Sequence, residues 1–307
     1  MLIYARSNPQ TMRLNGSIVP MVTPLDTRQR IDTVRVREFT NFLTASNLDG
    51  LFPCGSTGEF ASLSSDERIT VIEGVAAEAG ETPVLAGCGS TSITETCDMI
   101  DRAYDVGADY AVVVTPYYHH IEQAGMARYF TRVADSASLP VMMYNIPGLT
   151  GVSLDVDTVV ELSHNDNIVG IKDSSGNLRS LYAMITETPH DFPVFQGTTV
   201  QALTALEMGV DGLVAGEANA APNLVGEIHH AFASGDRSLA GDIMRSVVYP
   251  INKLLLDVPT IPALKYLASK HGFEIGSARC PIGTLSHNEE SRLDVFFEDY
   301  ILEPRVS

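Results

Sequence analysis

The sequence predicts an α/β fold, a (β/α)8 TIM barrel with a C-terminal all-helical appendage. Three observations carry this. Eight short apolar runs, several rich in Val and Ile, alternate with longer amphipathic segments. Gly or Pro marks many of the joints, as in Val106-Gly107-Ala108 and Met208-Gly209-Val210-Asp211-Gly212. From Gly235 onward the strand-like runs stop. Uninterrupted alternation demands parallel strands with right-handed crossovers, and eight such units fit closure into a barrel. A doubly wound sheet is the alternative, but no GxGxxG opens the first unit and no Walker-A lysine is present.

The first strand is expected at Ser17–Thr23, followed by a helix over Thr33–Ala45 with Val34, Phe39, Phe42 and Leu43 near one face. Gly50–Cys54 leads to a helix opened by Ser64-Ser65-Asp66-Glu67, where Ser64 and Glu67 fit a capping box. Pro83–Gly87 runs into Gly87-Cys88-Gly89-Ser90, read as a tight turn, and then Ile93–Tyr104. Tyr110–Thr115, Pro140–Asn145 and Ile168–Lys172 pair with the helices Gln123–Ala137, Val156–Ser163 and Leu178–Ile185. Pro193–Gln196 and Gly212–Ala215 pair with Thr199–Met208 and Leu224–Ala233. In the appendage, Leu239–Leu256, Ile261–His271 and Glu289–Ile301 read as helices, broken by Pro259 and Pro262 and by a loop over Gly272–Gly283. The expected organisation is an N-terminal extension (1–15), a barrel (16–234) and a helical domain (235–307).

An apolar fraction of 45% excludes disorder as the default state. Asp and Glu number 38 against 20 Lys and Arg, a net charge of -18, which speaks against binding nucleic acid or an anionic membrane. No apolar run is long enough to span a bilayer, and Met1–Gly16 carries Arg6 and Arg13 without a signal-peptide core. Cys54, Cys88, Cys97 and Cys280 form neither a CxxC pair nor a zinc spacing, so reduced, mostly buried cysteines in a cytoplasmic protein are expected. Acidic residues in excess, with Arg favoured over Lys, resemble salt-adapted (halophilic) proteins. Only four lysines occur: Lys172, Lys253, Lys265 and Lys270.

A barrel places its active site at the C-terminal ends of its strands. Lys172 ends the sixth strand and is the barrel's one lysine. Burial disfavours a charged amine, and a neutral amine forms Schiff bases with ketones; pairing with Asp173 or reaching solvent is the alternative. Tyr144 ends the neighbouring fifth strand, where a phenol could relay a proton or simply fill the core. Gly55-Ser56-Thr57-Gly58-Glu59 follows the second strand; its hydroxyls and backbone N–H groups suit a carboxylate, unless the turn only caps the next helix. Tyr117-Tyr118 reads first as packing or an interface. His119-His120 and His229-His230 are weak metal signals, with no carboxylate at a ligand spacing, and no metal is expected.

These residues resemble the pyruvate-dependent class I aldolase family that includes dihydrodipicolinate synthase and N-acetylneuraminate lyase. The landmarks are Gly16…Val22-Thr23-Pro24, Gly55-Ser56-Thr57-Gly58-Glu59, Thr115-Pro116-Tyr117-Tyr118, Tyr144-Asn145-Ile146-Pro147 and Gly170-Ile171-Lys172-Asp173. The resemblance implies Lys172 as the Schiff-base lysine, Tyr144 as proton relay, and Ser56 and Thr57 as holders of the pyruvate carboxylate. It implies that Tyr118 reaches a neighbouring subunit's site within a homotetramer, a dimer of dimers, and that Gly197 lies near the substrate. The imine replaces any cofactor.

Departures from the family pattern bear on the substrate. The synthase branch has an arginine where this chain has Leu149, and the sialic-acid branch has acids where it has Thr198 and Thr199. A shorter 2-keto-3-deoxy sugar acid of the 2-keto-3-deoxygluconate type is therefore expected, cleaved to pyruvate and an aldehyde. Ser174, Thr198, Thr199 and Glu217 are the candidate hydroxyl contacts. A sugar-acid dehydratase, the synthase, the lyase and a non-catalytic acid-binding barrel remain alternatives.

Overall fold

The structure, a computed structural model, describes residues 14–302. The N-terminal extension therefore lies almost wholly outside the described residues. Eight parallel strands run β1 (Gly16–Pro20), β2 (Gly50–Phe52), β3 (Leu85–Gly87), β4 (Tyr110–Val114), β5 (Val141–Asn145), β6 (Ile168–Asp173), β7 (Val194–Gln196) and β8 (Gly212–Val214). They are ordered β2-β1-β8-β7-β6-β5-β4-β3. The two edges are joined as well: Leu51 N donates to Pro83 O at 2.9 Å and Gly87 N to Pro53 O at 3.0 Å. The sheet is thus a closed barrel, which leaves no edge to aggregate.

The helices begin where side chains satisfy their first free N–H groups. Asp32 caps α1 (Thr33–Thr44), and Ser64 with Glu67 forms the expected capping box on α2 (Ser65–Glu78). Ser92 caps α3 (Ile93–Asp105). α4 (Gln123–Ser136) follows β4, and a one-turn helix the sequence did not suggest, α5 (Pro147–Thr150), precedes α6 (Val156–Leu162). Asn177 caps α7 (Leu178–Glu187). The helix expected from Thr199 begins instead as a 3-10 turn, Thr199–Gln201, before α8 (Ala202–Met208). A second 3-10 turn, Gly216–Asn219, precedes α9 (Pro222–Ala233).

Two apolar layers result. Ile18, Phe52, Leu85, Val112, Met142 and Phe195 fill the barrel, while a larger cluster packs the outer strand faces against the helices. Small residues complete the interior. A Cβ on Gly212 would stand 2.4 Å from the Phe195 ring and 2.2 Å from Gly16 O.

Beyond α9 the chain is helical: α10 (Arg237–Ile243), a π-helical turn (Met244–Val248), α11 (Tyr249–Leu255), α12 (Thr260–Ser269) and α13 (His287–Phe296). Pro250 lacks the N–H a regular helix would use, and the turn preceding it is the widened one. α12 packs on the 3-10 turn after β8, which brings the appendage over the C-terminal mouth of the barrel. No described helix is long and apolar enough to cross a membrane.

Candidate active site

Lys172 and Tyr144 are register partners on β6 and β5, so both side chains project inward from the same barrel level. Lys172 is only 5% exposed. Its Nζ lies 3.9 Å from the centroid of the Tyr144 ring and 5.1 Å from that of Phe52. It does not pair with Asp173. Alternation along the strand turns that carboxylate to the other face, where it accepts hydrogen bonds from Asn145 Nδ2 and Ser175 Oγ, both at 2.7 Å. Burial raises the Asp173 carboxyl above its usual range, and these two donors oppose the rise. Lys172 therefore sits on two aromatic faces with no acid salt-bridged to it among the described residues, so no carboxylate stands between its amine and a ketone placed over it.

A cavity of about 500 Å³ opens over this amine. Ser56, Thr57, Tyr144, Ser174 and Gly197 line it with Lys172, and so do Thr198, Thr199 and Glu217. Of the residues expected to act on or bind the substrate, Tyr118 alone lies outside the cavity lining: it is 89% exposed, has φ +82° and rests its ring on His119. The turn at Ser56 and Thr57 does not cap the following helix, because Ser64 does that. Neither residue's backbone N–H has a protein partner among the described residues. Both residues line the cavity, so their two N–H groups and two hydroxyls are the kind of donor set a bound carboxylate needs. The turn packs closely on the backbone beneath it, and Gly58 is what permits this: a Cβ there would meet Met21 O at 2.9 Å.

Gly197 is a steric necessity. A Cβ there would lie 2.0 Å from Ser174 Oγ and 2.9 Å from Lys172 Cε. At the mouth, Leu149 on α5 is 70% exposed and lines the cavity.

Sequence reading missed two groups, both made by contacts with the distant appendage. Glu59 and Lys265 form a buried ion pair at 2.8 Å, and Lys265 also donates to Ser277 O. Glu59 takes a second bond from Arg279 N at 2.6 Å, and Arg279 pairs with Glu67 at 2.7 Å. This network anchors the loop that carries Ser56 and Thr57 to the appendage. Burial pushes the Lys265 ammonium below its usual range, against the pull of Glu59. Asn252 on α11 donates to Glu217 Oε1 at 2.6 Å and lines the same cavity. The GSTGE motif contained Glu59, but nothing near it in sequence pointed to its partner.

At the barrel's other end the fold brings to His229-His230 a carboxylate that no sequence spacing showed. Asp49 lies beside them, with Oδ1 3.0 Å from His230 Nε2 and Oδ2 accepting from Ser17 N. It is 181 residues from His230, so ligand spacing could not show it. Burial pushes the Cys54 and Cys88 thiols up to about 12, which makes them inert at neutral pH. Cys97 is half-buried and Cys280 exposed, so burial holds for only two of the four cysteines.

A lysine buried on the rings of Tyr144 and Phe52, beside a hydroxyl-bearing turn at the C-terminal mouth of a (β/α)8 barrel, fits one class: the class I, pyruvate-dependent aldolases, carbon–carbon lyases that work through a lysine imine without an external cofactor. The comparisons agree. The chain belongs to the Dihydrodipicolinate synthetase family, whose profile matches residues 13–299. It is 36% identical over 278 residues to the 4-hydroxy-tetrahydrodipicolinate synthase of Ligilactobacillus salivarius, covering 90% of this chain and 95% of that protein. It is 35% identical to the Listeria welshimeri enzyme of the same name, covering 94% of this chain and 99% of the relative. Among solved structures, YagE, an Escherichia coli K12 prophage protein of the dihydrodipicolinic acid synthase family in complex with pyruvate, superposes with a TM-score of 0.90. The identity is 30%, with 95% of this chain and all of the other covered. Dihydrodipicolinate synthase DapA-2 of Bacillus anthracis gives a TM-score of 0.88 at 32% identity, covering 92% of this chain and 97% of that one.

Proposed function

We propose that the protein is a Schiff-base aldolase that cleaves or forms a 2-keto-3-deoxy sugar acid of the 2-keto-3-deoxygluconate type. One observation carries this reading. Among the described residues lining the cavity, Lys172 is the only basic side chain, and hydroxyl-bearing residues surround the space beyond it. A second carboxylate on the substrate, as the synthase reaction requires, has no cation to meet it.

In the proposed mechanism the Lys172 amine adds to the C2 ketone, water leaves, and a protonated imine forms. The C4 hydroxyl loses its proton, the C3–C4 bond breaks, and its electron pair moves into the imine to give an enamine plus the released aldehyde. Protonation at C3 and hydrolysis return pyruvate and the free lysine. Tyr144 carries the protons, and Ser56 and Thr57 hold the keto-acid carboxylate. Removing a positioned proton carrier costs about 10²–10⁴-fold. Tyr144→Phe is therefore expected to slow imine formation by roughly 10²-fold or more, followed in single-turnover experiments. An unchanged rate assigns the proton to another group.

The test of the function is a panel of 2-keto-3-deoxy acids assayed for pyruvate release, with the co-product identified. An aldehyde co-product supports the aldolase. A dehydrated semialdehyde with no pyruvate makes the protein a dehydratase. The second reading, 4-hydroxy-tetrahydrodipicolinate synthase, is favoured by the names of the relatives; turnover of pyruvate with aspartate semialdehyde but with no sugar aldehyde would establish it.

We also propose that Tyr118 enters a neighbouring subunit's site in a homotetramer and completes a relay with Tyr144 and Ser56. Its exposure and left-handed backbone support this, since a strained residue whose ring leans only on the adjacent, exposed His119 among the described aromatic rings needs another reason to persist. Light scattering is expected to read a tetramer, and Tyr118→Phe to lower kcat. A fully active monomer would contradict both.

A further inference from the structure

Two polar side-chain atoms of the cavity, Ser174 Oγ and Glu217 Oε2, are buried without a hydrogen-bond partner. Both residues line the space above Lys172. Glu217 is 5% exposed on the 3-10 turn after β8, and its other oxygen is fixed by Asn252. Ser174 directly follows the Lys172-Asp173 pair, and its hydroxyl crowds Gly197 from the same side as Lys172 Cε. Native proteins satisfy nearly all buried polar atoms, and each orphan costs about 1–3 kcal/mol. Two orphans in one cavity mark the place of a ligand's polar groups.

The charges decide which groups. Among the described lining residues Glu217 is the only acid, and the only base, Lys172, becomes part of the imine. A phosphate or carboxylate on the aldehyde half would be buried beside Glu217 with no counter-ion, which is strongly unfavourable. A neutral hydroxyl can donate to Glu217 Oε2 and exchange a bond with Ser174 Oγ, satisfying both orphans. We infer that Glu217, held by Asn252 and assisted by Ser174, is the specificity determinant that reads a hydroxyl on the aldehyde half and rejects aldehydes bearing a phosphate or carboxylate. The inference rests on the Schiff-base reading and adds to it that the substrate is an unphosphorylated polyhydroxy acid. Burial raises the Glu217 carboxyl above its usual range, opposed by Asn252 and by the Thr199 hydroxyl nearby, which is too poorly placed to bond Oε2, and this is consistent with a site built for neutral partners.

The test condenses pyruvate with three aldehydes: glyceraldehyde, propanal, which lacks the hydroxyls, and glyceraldehyde 3-phosphate. A hydrogen bond to a charged group is worth roughly tenfold or more in kcat/KM. The unsubstituted protein is expected to favour glyceraldehyde over each rival by at least about that factor. Glu217→Gln keeps an acceptor but removes the charge, so the handicap of the phosphorylated aldehyde is expected to shrink. Glu217→Ala removes the acceptor, so the glyceraldehyde-to-propanal ratio is expected to fall towards one. Thermal melting checks that Glu217→Ala folds; if it does not, the near-isosteric Glu217→Gln alone carries the test. Equal use of the phosphorylated aldehyde by the unsubstituted protein, or ratios that do not move in the variants, overturns the inference. Borohydride with pyruvate on the unsubstituted protein separates the two levels. No trapping removes the Schiff-base reading and this inference with it. Trapping with unmoved ratios removes this inference alone.

Discussion

Lys172→Ala is expected to abolish turnover, lowering kcat by roughly six powers of ten, the loss seen when a covalent nucleophile is deleted. The folded state should survive the change. Lys172 makes no ion pair among the described residues, and what is lost is its packing on Tyr144 and Phe52. Near-native melting together with absent turnover is therefore the expected pair of results, from calorimetry and a pyruvate-release assay. Retained activity would place the reactive amine elsewhere, and the three other lysines, all in the appendage, offer no group at the strand ends.

The largest expected effect on stability comes from the appendage. Lys265→Met keeps the stem of a side chain that is 1% exposed but strands Glu59 as a buried carboxylate. Breaking one side of a buried ion pair costs about 3–5 kcal/mol. Denaturant unfolding is expected to show a loss of that size. Glu59 shares its loop with Ser56 and Thr57, so the surviving folded fraction should also show a raised KM for pyruvate. A cost below about 1 kcal/mol would mean that the pair behaves like a surface salt bridge.

The barrel was legible because parallel strands buried on both faces leave uninterrupted Val and Ile runs, and because helix starts carry their own caps. Ser64 with Glu67 is the clearest case, visible in sequence and present in space. Lys172 and Tyr144 were legible for a related reason. The strand ends of a barrel converge, so two residues far apart in sequence could be placed in one pocket from their positions alone. Other features were hidden. The Glu59–Lys265 and Glu217–Asn252 contacts join the barrel to the appendage across 206 and 35 residues, and no local pattern encodes such a pairing. Asp49 beside His230 escaped in the same way. The one-turn helix Pro147–Thr150 was too short for any periodicity to reveal, although its Pro at the first turn favours a helix start.

The most direct test of the account is reductive trapping. Pyruvate forms an imine with the reactive lysine, and borohydride converts that C=N bond into a stable secondary amine. Incubation of the protein with both, followed by mass spectrometry of its peptides, is expected to place one carboxyethyl group on Lys172 and to find activity lost in step with its appearance. A protein that remains unmodified and active after this treatment, or one modified only at Lys253, Lys265 or Lys270, would contradict the account.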